Sequence, residues 1–410
     1  MIKGQLILSV ILCLIMSCNP NTTNKTKSKT ESDIIGKLNQ QFEINDLAGI
    51  GITVISDETL MLNYGFGAAD IQNKQKYTSQ TIQPIGSISK LFIGVAIIRG
   101  IEFGYFELDS EINEILPFEI NNPNHPDIPI TIKDLATHTS SITDSDLYWE
   151  NCYYTTEKSP YNKAWEHLDS VFLLNRGETP TLKTLIHNYF KTDGSWYAKD
   201  NFLNAKPGEQ MEYSNVASSL AAYLVEYKSG VSFSEFTKRY IFEPLNMKNT
   251  AWFDDELEAS SLATLYFDKE NPFPRYSSPS YPDGALRTTI TDLSIFLSTM
   301  MAGYQGKSIF LTEESFELMF KKQFDTLPKG MKEGSNSGVF WDYMPNGLLG
   351  HNGSDPGLFT IMAFDPETME GTIYLLNHNI ITSENPKTLF GQFQEIINDV
   401  KTFKKNQKVE

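Results

Sequence analysis

The sequence predicts an α+β fold: an antiparallel sheet built from both chain ends, flanked by helices, with a mainly helical lobe inserted between them. Three observations predict it. Short apolar runs broken by turn residues lie at 47–66 and again at 348–377, which is the pattern of hairpin strands. From about Ser87 to about Phe320, helical periods and long loops dominate. Strands joined by short turns pair antiparallel, and strands at both ends of the chain share one sheet only if those ends meet in space.

The elements follow in chain order. Lys3 supplies a positive start and Gln5 to Ser17 an apolar run, shorter than the ~20 residues that span a bilayer and fitting a signal segment. It ends at Ile15-Met16-Ser17-Cys18, which resembles a bacterial lipobox. Residues 1–18 are therefore expected to be a lipoprotein-type signal peptide with Cys18 as the lipidation site. That places the protein at the bacterial cell envelope, facing the periplasm or the cell exterior, with a lipid anchor as its membrane contact. Residues 19–32 are polar and read as a flexible tether. With Cys13 removed and Cys18 acylated, Cys152 is the one thiol left, so no disulfide framework is expected.

Ile34, Leu38 and Phe42 recur at helical spacing, predicting a helix packed on the sheet. Leu47–Ser56 and Thr59–Phe66 read as strands joined by the turn Asp57-Glu58. Leu348–His351, Leu358–Phe364 and Gly371–Asn377 read as three more. Leu389, Phe393, Ile396, Ile397 and Val400 mark a final amphipathic helix, and 404–410 a charged tail. The 410 residues, 40% hydrophobic and 21% charged, suit a folded chain with a substantial core. A net charge of −17 argues against nucleic acid or an anionic lipid surface as partner, since phosphate binding needs clustered Lys and Arg.

Chemistry concentrates at Ser87-Ile88-Ser89-Lys90, which sets a hydroxyl and an amine one turn apart at a helix start. Lys90 alone among the lysines has a serine three residues upstream. At a helix start the Ser87 N–H is unpaired and can form half of an oxyanion hole. Lys90 shares that face and accepts the serine proton only if its pKa falls well below ~10.4. The bland alternative is a capping serine with a solvated lysine. Leu91, Phe92, Val95, Ile98 and Phe103 continue as an apolar stripe, making the helix central and Lys90 buried. Two further segments stand out, Tyr213-Ser214-Asn215 and His351-Asn352-Gly353. None of His125, His138, His167, His187, His351 and His378 forms a zinc-type pair, so no metal and no cofactor is expected.

With these motifs in this order, the chain resembles the serine β-lactamase and penicillin-binding-protein superfamily, specifically its class C-like branch of D-peptidases and esterases. The likeness runs from about Ser32 to about Phe403. Ile130–Ser140, Pro207–Tyr213, Glu243–Thr250 and Asp283–Asp292 resemble further segments of that family. The resemblance implies a β-lactamase/transpeptidase-like fold for one domain at 33–403. It implies Ser87 as nucleophile, with Lys90 and Tyr213 moving protons and Asn215 orienting Lys90 and holding a substrate carbonyl. His351-Asn352-Gly353 falls where the family has Lys-Thr-Gly; Gly353 would let substrate approach the strand, and Ser354 would give the second oxyanion N–H. A histidine with pKa ~6.5 is mostly neutral at pH 7, which weakens recognition of a carboxylate. The implied function is a serine hydrolase acting through an acyl-enzyme on ester or amide substrates, small molecules or peptides, with D-amino-acid peptides and β-lactams in the repertoire. The alternative is a penicillin-binding or sensor-type protein that acylates without efficient turnover. Residues 141–206 carry many aromatics and read either as a substrate-binding lid or as a satellite core covering the helical lobe.

Overall fold

The computed structural model describes residues 29–57, 59–380 and 386–407. Cys18, the signal segment and the first part of the tether lie outside these residues. The architecture is the expected one, a large antiparallel sheet from both chain ends with helices around it. Its main strands are β1 (Gly49–Ser56), β2 (Thr59–Asp70), β3 (Leu349–Asp355), β4 (Leu358–Asp365) and β5 (Glu370–Leu376). They run in the spatial order β3-β4-β5-β1-β2, with short two-residue strands beyond each edge. The chain ends meet where β1 pairs with β5, Thr53 opposite Ile373.

Period-two alternation decides what each face buries. Ile50, Ile52 and Val54 of β1 join Leu62 and Phe66 of β2 on one face. There they are covered by α1 (Lys29–Ile44) through Ile34 and Leu38, and by α6 (Pro386–Gln407) through Leu389, Phe393 and Ile396. On the opposite face α2 (Ser89–Glu102), α3 (Asn215–Ser229), α4 (Ile290–Tyr304) and α5 (Glu313–Phe320) share one larger core. Helix α4 comes so close to β1 that a Cβ on Gly51 would lie 2.6 Å from Ile290 Cγ2. Phe92 of α2 stacks on Phe296 of α4 at 4.0 Å, tying α2 to the helix that packs on β1.

Several boundaries differ from the sequence reading. Helix α1 starts at Lys29, inside the segment read as tether, with Glu31 favourably placed in its first turn. Strand β2 runs on to Asp70 and β3 to Asp355, because backbone pairing continues across glycines where side-chain alternation fades. Helix α6 continues through Gln407 into the predicted tail, held by buried Phe403 and by Lys404 on Glu370 at 2.5 Å. The aromatic segment 141–206 is a core: Tyr148, Tyr153, Trp165, Tyr189 and Phe190 are buried in the same cluster as α2.

Candidate active site

Ser87 lies in a short helical turn, Gly86–Ile88, that leads into α2. Gly86 has φ +56°, a conformation that glycine adopts without penalty. The turn is held on two sides. Ile85 N–H donates to Leu286 O at 3.0 Å, and Thr360 Oγ1 of β4 donates to Ile85 O at 2.7 Å. Among the described residues, the outer edge of β3 past Gly350 has no strand partner, and it faces this turn. A Cβ at Gly353 would lie 2.8 Å from Ser87 N and 2.5 Å from Thr360 Oγ1, so only glycine lets the strand come this near. A Cβ at Gly86 would meet Ser354 N at 3.1 Å. The backbone N–H groups of Ser87 and Ser354 thus belong to adjacent segments, as an oxyanion pair requires.

Lys90 is 0% exposed, which rules out the solvated-lysine alternative. Its Nζ donates to Ser87 Oγ at 3.1 Å, Asn215 Oδ1 at 2.7 Å and Asp283 O at 2.8 Å. Three donors meeting three acceptors is the pattern of an ammonium. Burial pulls its pKa down, and the hydrogen bond with Tyr213 and the nearby acids Asp283 and Asp144 push it up, for a net direction above the ordinary value. These contacts favour the charged amine in the resting site. Tyr213 carries its ring 5.0 Å from Lys90 Nζ, and its hydroxyl interacts with both Lys90 and Ser87. Tyr213 as a whole is 37% exposed, but its hydroxyl end is desolvated beside Lys90 and Ser87, which raises the phenol with Lys90 opposing.

His351 is buried beside this group, its ring 6.1 Å from that of Tyr213 and its Nε2 3.6 Å from Asp342 Oδ2. Burial lowers its pKa, helped by Lys90 and opposed by Asp342. The neutral imidazole expected from sequence is what this environment favours. Asn352 is exposed and points away from the buried face that Gly353 and His351 share. Among the described residues no His, Cys, Asp and Glu cluster suits a metal ion.

Three acids that sequence reasoning missed surround Lys90. Asp144 accepts from Ser214 Oγ, Asn215 N, Asn215 Nδ2 and Val216 N at 2.8–3.0 Å. Asp283, buried, accepts from Ser219 Oγ at 3.0 Å and Tyr148 OH at 3.2 Å. Asp355 accepts from Tyr153 OH at 2.6 Å. Asp283 sat within a segment singled out above, whereas Asp144 and Asp355 carry no local signal. Burial pushes the Asp283 carboxyl up to about 7, with Asp144 adding and Lys90 opposing.

A carboxyl whose folded pKa lies above its unfolded 3.8 favours folding at low pH, and this advantage is lost as pH rises from the unfolded toward the folded value. Asp283→Asn keeps the backbone carbonyl that holds Lys90 and removes this penalty. Its melting temperature relative to the parent should therefore rise more at pH 8 than at pH 5, and equal shifts at both would contradict the assignment.

Above Ser87 opens a cavity of about 1100 Å³, lined by Tyr213, Asn215, Ser354 and Asp355, and by Tyr148, Trp149, Tyr153 and Phe172 of the aromatic segment. The aromatic residues are thus a core that also walls the cavity, joining the two alternatives read from sequence. Arg275 and Arg287 also line it, but both pair with Asp254.

The beta-lactamase family model matches residues 37–389. The chain is 24% identical over 338 residues to "Protein flp" of Staphylococcus aureus, covering 81% of this chain and 60% of that protein. It is 24% identical over 336 residues to the human mitochondrial "Serine beta-lactamase-like protein LACTB", covering 73% of this chain and 59% of that one. The chain thus spans about three fifths of the length of these curated relatives. Among solved structures, it superposes on an octameric penicillin-binding protein homologue from Pyrococcus abyssi with TM-score 0.63 at 26% identity, covering 85% of this chain and 73% of the other. It superposes on a D-amino acid amidase from Ochrobactrum anthropi with TM-score 0.66 at 22% identity, covering 93% and 100%. The match over most of the chain, on a fold that brings Ser87, Lys90, Tyr213 and Asn215 together under one cavity, identifies the protein as a member of the beta-lactamase family of serine hydrolases.

Proposed function

We propose that the protein is a hydrolase of the class C-like type that forms an acyl-enzyme on Ser87 and acts on esters or amides that are neutral or carry an amine. The observation that carries this reading is the contact of Ser87 Oγ with Lys90 Nζ at 3.1 Å, with Tyr213 interacting with both, at the floor of a cavity large enough for an amino-acid derivative. Ser87 Oγ attacks the carbonyl carbon while its proton passes to the Tyr213 oxygen and the Tyr213 proton passes to the leaving atom. Lys90 keeps its charge throughout and stabilises negative charge on both oxygens. The N–H groups of Ser87 and Ser354 receive the developing oxyanion. Water then enters by the reverse relay and frees the acid.

Charge supports the choice of substrate. Asp144 and Asp355 line the cavity, both arginines are paired, and His351 favours its neutral form. A substrate carboxylate meets repulsion there, and an ammonium group meets attraction. The D-amino acid amidase with the same fold acts on amides of that kind by its name, which supports the reading without fixing it. Anchoring through Cys18, outside the described residues, belongs to the same proposal and would put the hydrolase on the cell envelope.

A substrate panel tests it: D- and L-phenylalanine amide, the N-acetylated amides, an activated ester and a chromogenic cephalosporin. The free-amine compounds should give a kcat/KM at least about tenfold above their acetylated forms, a difference of ~1.4 kcal/mol. A cephalosporin turned over faster than every amine-bearing compound would overturn the substrate class.

A further inference from the structure

Asp144 reaches the site from the segment after α2, and the backbone is bent to bring it there. His138 and Ser141 both take left-handed conformations, φ 57° and 63°, which non-glycine residues adopt at a cost and which persist only where surrounding contacts impose them. The result is a clasp on the start of α3. His138 Nδ1 accepts from Ser214 N at 3.3 Å, and Asp144 takes the next four donors. Its Oδ1 receives Ser214 Oγ at 2.9 Å and Val216 N at 3.0 Å, and its Oδ2 receives Asn215 N at 2.9 Å and Asn215 Nδ2 at 2.8 Å.

An ionised carboxylate only accepts hydrogen bonds, while an asparagine amide has one accepting and one donating end. With its Nδ2 fixed on Asp144, Asn215 must turn Oδ1 the other way, and there Lys90 Nζ donates to it at 2.7 Å. The same Nζ holds Ser87 Oγ. A flipped amide would set NH₂ against an ammonium, and Lys90 would lose one of its three acceptors.

We propose that Asp144 is a positioning residue: by gripping both the backbone and the side-chain amide of Asn215, it fixes the Asn215 oxygen on Lys90 and so holds the Lys90–Ser87 pair in register. The proposal rests on the acyl-enzyme reading of Ser87, and it adds a group that acts on the reacting atoms only through Asn215 and Lys90. Lys90, Asp283, Tyr148 and Tyr189 are the titratable groups whose charge couples to Asp144, so a change at 144 also registers in the pH dependence.

The test uses the mature chain and hydrolysis of 4-nitrophenyl acetate, with Asp144→Asn, Asp144→Ser, Asn215→Ala and the Asp144→Ser/Asn215→Ala double variant. Asp144→Asn sets an NH₂ against one of the converging donors. We expect kcat to fall about a hundredfold, the scale of an ångström-sized misplacement, with KM within about threefold and the alkaline limb of the kcat profile moved to lower pH. Asn215→Ala should lose a similar factor. The double variant should lose no more than Asn215→Ala alone, because both changes break one chain of contacts. Asp144→Ser removes the carboxylate while keeping a small polar side chain, and carries the same test if Asp144→Asn does not fold. Losses that multiply in the double variant, or a folded Asp144 variant with kcat and pH profile unchanged, overturn the proposal. Ser87→Ala serves as the separate control: an active Ser87→Ala brings down the acyl-enzyme reading and this proposal with it, while an inactive Ser87→Ala beside unaffected Asp144 variants removes only this one.

Discussion

Ser87→Ala will leave the fold in place and remove turnover, with kcat falling by roughly 10⁵- to 10⁶-fold, the loss seen when a hydrolase nucleophile is deleted. The fold survives because the Ser87 hydroxyl is partly exposed at the cavity floor and its contacts are Lys90 and Tyr213. What holds the turn lies in the backbone, through Ile85 with Leu286 and with Thr360. Water can take the place of the lost oxygen in an open cavity. Thermal melts overlaying those of the parent, together with loss of ester hydrolysis, are the expected result. Retained hydrolysis would assign the nucleophile elsewhere.

Lys90→Met will do more damage to the whole molecule. Methionine fills a similar volume, but it leaves Asn215 Oδ1 and Asp283 O without the donor they share and strips the neighbouring Asp144 and Asp283 of their compensating charge. Removing one partner from a buried charged group costs about 3–5 kcal/mol, and removing a group that stabilises transition-state charge costs about 10²- to 10³-fold in kcat. The stability loss should shrink as pH falls below 7, since Asp283 titrates near there and its protonation removes the uncompensated charge. Melting curves at pH 5 and pH 8 and ester kinetics check both parts. A Lys90→Met protein equally stable at both pH values and active within tenfold of the parent would contradict the charged resting site described above.

How much of this was legible in sequence depends on the range of the interaction. The Ser87–Lys90 pair is local, one helical turn, and the apolar stripe from Leu91 onward marked its helix as buried. The hairpin of β1 and β2 and the strands near the other end were legible from alternation. Their full lengths were not, because Gly65, Gly67, Gly350 and Gly353 carry no side chain to alternate while the backbone ladder continues through them. Asp144 was silent because its meaning lies in Asn215, 71 residues later, and Asp355 because its partner Tyr153 lies 202 residues earlier. The charge balance around Lys90 was illegible for the same reason. Burial alone argues for a lowered pKa, and the groups that reverse it are delivered by the fold. The aromatic segment posed a choice between lid and core that composition cannot make, since a cavity wall and a core face are built from the same residues.

The central claim is a covalent ester at one oxygen, and peptide mapping by mass spectrometry after incubation with a fluorophosphonate tests it most directly. A single phosphonyl adduct on the peptide containing Ser87, absent from Ser87→Ala and suppressed by prior incubation with an amine-bearing ester substrate, is the predicted result. An adduct on another residue, or one undiminished in Ser87→Ala, would contradict it.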